Sequence, residues 1–88
     1  MRNFENEFQT INTVDQVRAD CNSITFINTG TSVAQVNGIN LQPAIVAGQN
    51  GEQLVSEGNE GEIDKTLYRI SFSGAGSNVV QIIRKVYK

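Results

Sequence analysis

Residues 28–43 read NTGTSVAQVNGINLQP, and the middle of that stretch decides the fold. SVAQV (32–36) alternates, Asn37-Gly38 breaks the alternation, and INLQ (39–42) resumes it. Asn-Gly between alternating segments is the strongest short hairpin signal, because a type I′ turn needs positive φ at both central residues. Two antiparallel strands joined by a tight turn are therefore expected here. Pro43 cannot donate to a ladder, so the second strand ends or lies at an edge there. The hairpin sits inside a longer oddity: from Cys21 through Gly51 there is no Asp, Glu, Lys or Arg. Its polar face is Thr, Ser, Gln and Asn. Such groups can hydrogen-bond to a neighbour without the desolvation cost of buried charge, and an edge without charges lacks a usual guard against edge pairing.

The β pattern continues on both sides of the hairpin. SITFIN (23–28) is β-branched and aromatic. Thr29-Gly30 signals a turn. AIVA (44–47) reads as a short strand, GQNGE (48–52) as another Asn-Gly turn, and QLVS (53–56) as its return strand. EGNEGEID (57–64) is a polar loop. In KTLYRISFS (65–73), Tyr68, Ile70 and Phe72 share one face while Leu67, Arg69 and Ser71 share the other. GAGSN (74–78) reads as a hairpin turn, and VVQIIRKVY (79–87) as the last strand. That strand is apolar on both faces, with Val80, Ile82 and Val86 on one and Val79, Ile83 and Tyr87 on the other. A strand with one wet face alternates more cleanly; this one is central in the sheet or meets another chain.

Residues 1–20 read differently. Phe4, Phe8 and Ile11 fall at i, i+4 and i+7, a helical spacing, but the Thr and Asn among them are weak helix formers. Thr13 and Gln16 fit a capping box ahead of VDQVRAD (14–20). The expectation is an N-terminal arm or short helix over 1–20 and one all-β domain over 21–88. Strands separated by turn signals at short intervals argue for a small antiparallel β-sandwich of about six or seven short strands.

The 88 residues carry few charges, 18%, and a net charge of −2, which supplies no basic field for nucleic acid and no polybasic patch for a membrane. Charge comes in blocks: residues 52–64 hold five acids and no base, residues 65–88 five bases and no acid. There is no histidine, and Cys21 is the one cysteine. The usual base–nucleophile pairs are thus absent, and the chain is expected not to be an enzyme. No disulfide can form within the chain, and MRNFENEFQT has no apolar h-region; both point to assembly in a reducing cytoplasm. Cys21 reads as a small buried hydrophobe. No cofactor is expected. The one candidate for metal is weak: Glu57, Asn59, Glu60, Glu62 and Asp64 offer hard oxygens suited to calcium, but their spacing fits no EF-hand loop. A solvated acidic loop, whose glycines allow sharp turns, is the preferred reading. Interfaces remain, since Phe4 and Phe8 on a polar arm are hard to bury in so small a domain. Phe4, Phe8, Val79, Ile83 and Tyr87 are the candidate contact residues, as buried aromatics anchor interfaces.

Taken together, CNSITFINTG, VAQVNGINLQP, GNEGEID, LYRISFSGAGSN and IIRKVYK resemble the small β-rich structural proteins of tailed-bacteriophage virions. The resemblance spans residues 21–88. Where the resembled pattern continues with glycine, this chain has Ala44 and the insertion AIVAGQNGEQL (44–54). The resemblance implies a non-enzymatic role in the virion: capsid decoration, a head-fibre base, or a head–tail or tail component. It implies virion subunits as partners, many symmetric copies, and assembly in the host cytoplasm. The alternative from a different class is a carbohydrate-binding or adhesion module, for which the supply of exposed aromatics is thin.

Overall fold

The computed structural model describes residues 4–43, 49–58, 61–74 and 76–87. They form eight strands: β1 (Phe4–Ile11), β2 (Asp15–Arg18), β3 (Ser23–Asn28), β4 (Val33–Val36), β5 (Ile39–Leu41), β6 (Gln53–Ser56), β7 (Leu67–Ser73) and β8 (Val80–Tyr87). All pairings are antiparallel, in two four-stranded sheets ordered β1-β8-β3-β6 and β2-β7-β4-β5. Successive strands alternate between the sheets, and only β4 to β5 stays within one. An order of 1-8-3-6 facing 2-7-4-5 is the jelly-roll arrangement, a sandwich of two Greek keys. The all-β sandwich read from the sequence is therefore the fold.

The hairpin forms as its chemistry requires. Asn37 and Gly38 have φ of 50° and 83°, and Val36 pairs with Ile39 across the turn. β7 also keeps its expected faces, with Tyr68 and Ile70 buried and Leu67 and Arg69 exposed. The core lies between the sheets. Ile24, Phe26, Val80 and Ile82 come from one, and Ala34, Val36, Leu41, Tyr68 and Ile70 from the other. The Phe26 and Tyr68 rings meet across the interior at 4.8 Å between centroids. Each such side chain contributes about 1.5–3 kcal/mol on burial.

Two expectations change, and a third lies outside the described residues. The N-terminal twenty residues hold no helix among those described; they supply β1 to one sheet and β2 to the other. Val17, Ala19 and Cys21 are all buried, and this two-residue period outweighs the capping-box pattern of Thr13 and Gln16. Phe4 and Phe8 share a strand face as readily as a helix face, while Ile11 points inward. GAGSN is not a hairpin turn, for it carries the chain from β7 in one sheet to β8 in the other. QLVS pairs with β3, and the AIVA segment proposed as its partner lies outside the described residues.

Asn28, fully buried, joins the sheets at one end of the sandwich. Its side-chain amide donates to the carbonyls of Ser32 (2.9 Å) and Leu41 (2.8 Å), and its side-chain oxygen accepts from the Gly30 amide (3.0 Å). Gly30 itself lies against the β7–β8 connection, where a Cβ would overlap the Ser77 carbonyl oxygen and sit 2.8 Å from the Val79 nitrogen. Two losses of stability follow, both measurable by urea unfolding. Asn28→Ala removes the buried donor to the Ser32 and Leu41 carbonyls, at about 1–3 kcal/mol each, while the Gly30 amide keeps the Val79 carbonyl. Gly30→Ala forces backbone apart and costs about 1–3 kcal/mol.

Candidate interaction surface

The residues expected at an interface converge on the outer face of the β1-β8-β3-β6 sheet. β8 is central there, between β1 and β3. Its inward residues Val80 and Ile82 are in the core, so its second apolar face looks outward. Strand register aligns a transverse row, Phe8–Ile83–Thr25–Val55, across all four strands. Phe8 is 71% exposed, Val55 50%, and Ile83 half-buried. A parallel row runs Asn6–Lys85–Ser23, and a third runs Thr10–Gln81–Ile27–Gln53. At the end of the sheet Phe4 pairs with Tyr87, and the Lys85 ammonium sits 4.4 Å from the centroid of the Phe4 ring. Such a cation–π contact holds an exposed ring in place for about 0.5–1 kcal/mol.

Four of the five candidate residues thus belong to one face by register: Phe4, Phe8, Ile83 and Tyr87, whose side chain lies outside the described residues. Val79 does not join them. It precedes β8, and its carbonyl accepts the amides of Thr29 (3.1 Å) and Gly30 (3.2 Å), a structural duty. Thr25 and Val55 complete the row and escape sequence reading, because only tertiary register sets them beside Ile83. A groove of about 310 Å³ opens on the same face, between Asn6, Thr25, Val55, Glu57, Ile83 and Lys85.

The opposite outer face is polar and bonded within itself. The Ser71 hydroxyl donates to the Gln35 side-chain oxygen (2.9 Å), and the Gln35 amide donates to that of Asn40 (3.0 Å). The charge-free hairpin uses its polar side chains here, within its own sheet. Its edge strand β5 is three residues long, and shortness is itself a guard against edge pairing.

The acidic loop divides its residues. Asp64 is a structural acceptor, taking the Thr66 amide (2.8 Å), the Tyr68 hydroxyl (3.0 Å) and the Ser56 hydroxyl (3.4 Å). Its backbone amide donates to the Cys21 carbonyl at 2.8 Å. Hydrogen bonds from the Thr66 side chain and backbone hold its carboxyl below the usual range. Burial pushes the Tyr68 hydroxyl up. Glu57 faces the groove, the Glu62 carbonyl accepts the Asn22 side-chain amide (2.7 Å), and Asn59 and Glu60 lie outside the described residues. Among the described residues no three His, Cys, Asp or Glu side chains are grouped to hold a metal ion. Cys21 is buried, and burial pushes its thiol pKa up, away from the reactive thiolate.

No protein-family model, no curated protein and no solved structure matches this chain.

Asp64 makes stability pH-dependent. Its folded pKa lies below the unfolded value of about 3.9. The stability it contributes is full above that value and lost as pH falls through the folded one. Asp64→Asn is expected to unfold more readily at neutral pH than the parent, with the difference shrinking in acid. Urea midpoints across a pH series check this, and a difference that stays constant into acid contradicts it.

Proposed function

We propose that this chain is a structural protein of a tailed-bacteriophage virion, a capsid decoration or auxiliary subunit present in many symmetric copies and without enzymatic activity. The observation that carries the reading is the Phe8–Ile83–Thr25–Val55 row, an apolar band on the outside of a two-layer sandwich whose core is already complete. Exposed apolar patches of this kind mark protein–protein contact. Jelly rolls recur among viral capsid domains, which adds support by analogy of fold. The sequence resemblance points the same way, and the absence of histidine removes the commonest catalytic base. The partners in this reading are other virion proteins, with the particle assembled in the host cytoplasm. A head–tail or tail position would use the same face.

A second reading, a carbohydrate-binding or adhesion module, draws on the groove on this face. Asn6, Thr25, Glu57 and Lys85 line it with hydrogen-bonding groups, and Phe8, paired with the groove residue Ile83, exposes its ring on the same face, the combination that grips a sugar. Glycan binding by the isolated chain favours it.

Val55→Glu places a charge in the band at a half-exposed position, away from β1. It is expected to leave the fold intact and to weaken binding to purified capsid shells by about tenfold or more, as loss of a contact at an interface centre does. Co-sedimentation with shells measures this. Absence of the protein from purified particles by mass spectrometry contradicts the proposal.

A further inference from the structure

β1 is a long edge strand that buries Ile11 alone. From Asn6 to Thr10 every residue is exposed, on both faces, and β8 is the strand's one partner among the described residues. The other edge of this segment therefore turns backbone donors and acceptors to solvent. Natural proteins guard such edges with charged side chains, lysine above all, or with proline, a bulge or short length. Asn6-Glu7-Phe8-Gln9-Thr10 has no lysine and no proline, Glu7 is its one charge, and β1 pairs with β8 through eight residues without a break. The other edge strands, β2, β5 and β6, have four, three and four residues.

We infer that this edge pairs with the same edge of a second copy, antiparallel, about a two-fold axis through Phe8. Identical edges meet isologously, and keeping outer faces on one side puts the axis through a residue. The charges then choose which one. An axis at Asn6 sets Glu5 against Glu7 twice, and one at Glu7 sets that carboxylate against itself; like charges directly opposite are unfavourable. An axis at Gln9 leaves Phe8 facing Thr10. With the axis at Phe8, its ring meets its own symmetry mate, Glu7 faces Gln9, and Asn6 faces Thr10. Aromatic cross-strand pairs are among the favourable ones, and no carboxylates are opposed. The transverse row then runs unbroken from the Val55 of one copy to that of the other, through an eight-stranded sheet. This deepens the multi-copy reading above and rests on it only for its biological setting.

Sedimentation equilibrium of the full chain over a concentration series tests the pairing. The expected result is a reversible dimer. Phe8→Asp, which brings two carboxylates together on the axis, weakens it by about tenfold or more. Gln9→Lys, which faces Glu7, tightens it by roughly two- to fivefold for each of the two symmetric contacts. Circular dichroism reports whether Phe8→Asp folds; if it does not, Gln9→Lys decides. A chain that stays monomeric, a dimer indifferent to Phe8→Asp in its folded form, or one not tightened by Gln9→Lys overturns the inference. A monomer that still binds capsid shells overturns the pairing and leaves the proposed function standing. A dimer with this behaviour that binds no shell does the reverse.

Discussion

The buried amide of Asn28 is the constraint on which the rest of the sandwich hangs. It is the last residue of β3, in one sheet, and it donates to Leu41 in the edge strand of the other. Its backbone takes part too: the Asn28 amide donates to the Glu52 carbonyl (3.1 Å), and its carbonyl accepts the Gly51 amide (2.7 Å). One residue therefore fixes the end of β3, the 29–32 loop, β5 and the approach to β6. Hydrogen bonds inside a dry core gain strength from the low dielectric, and the same condition makes a missing partner expensive. A network of this kind tolerates one arrangement and penalises its neighbours.

That arrangement propagates to the surface. The loop held by Asn28 meets the β7–β8 connection through the Thr31 and Ser32 amides, both donating to the Ser77 carbonyl at 3.0 Å, while Thr29 and Gly30 reach Val79. The start of β8 is thereby fixed, and a strand's register follows from its start. A slip of one residue would turn Ile82 outward and Ile83 inward, reversing every side chain on the strand. Since β1 pairs only with β8 among the described residues, the position of Phe8 is inherited from that register. The interaction surface at one edge of the sheet thus depends on an asparagine two strands away.

What the sequence discloses follows the range of the forces involved. The Asn37-Gly38 turn is legible because its chemistry is local: two residues must adopt positive φ, and these two do so at little cost. The faces of β7 are legible because alternation is a property of consecutive residues. Sheet membership is not, since a period of two says that a strand has two faces and is silent on which sheet owns it. That is why GAGSN passes for a hairpin while in fact crossing between layers. The strand at Asp15–Arg18 was legible in principle, from Val17, Ala19 and Cys21, but a local capping pattern competes with that signal. Phe8 and Ile83 stand out as apolar residues without an evident core role. Thr25 and Val55 do not, because an exposed threonine and valine acquire meaning only beside them.

The two outer faces of the sandwich have opposite characters, and this bears on how the molecule meets anything else. On the β2-β7-β4-β5 sheet, Ser71, Gln35 and Asn40 spend their hydrogen bonds on one another, so a partner gains little by displacing them. On the other sheet the central row offers apolar area that none of the described residues covers, flanked by Asn6, Ser23 and Lys85 at one level and by Thr10 and Gln81, bonded to each other at 3.0 Å, at the next. An apolar centre with a polar rim is the usual anatomy of a protein–protein contact. The absence of charge from residue 21 to residue 51, which at first suggests a sticky hairpin, has a different consequence in the fold. It lets the hairpin's polar side chains bond to one another within their own sheet, while the Phe8–Ile83–Thr25–Val55 row and the charges that choose a register for β1 lie on the opposite sheet.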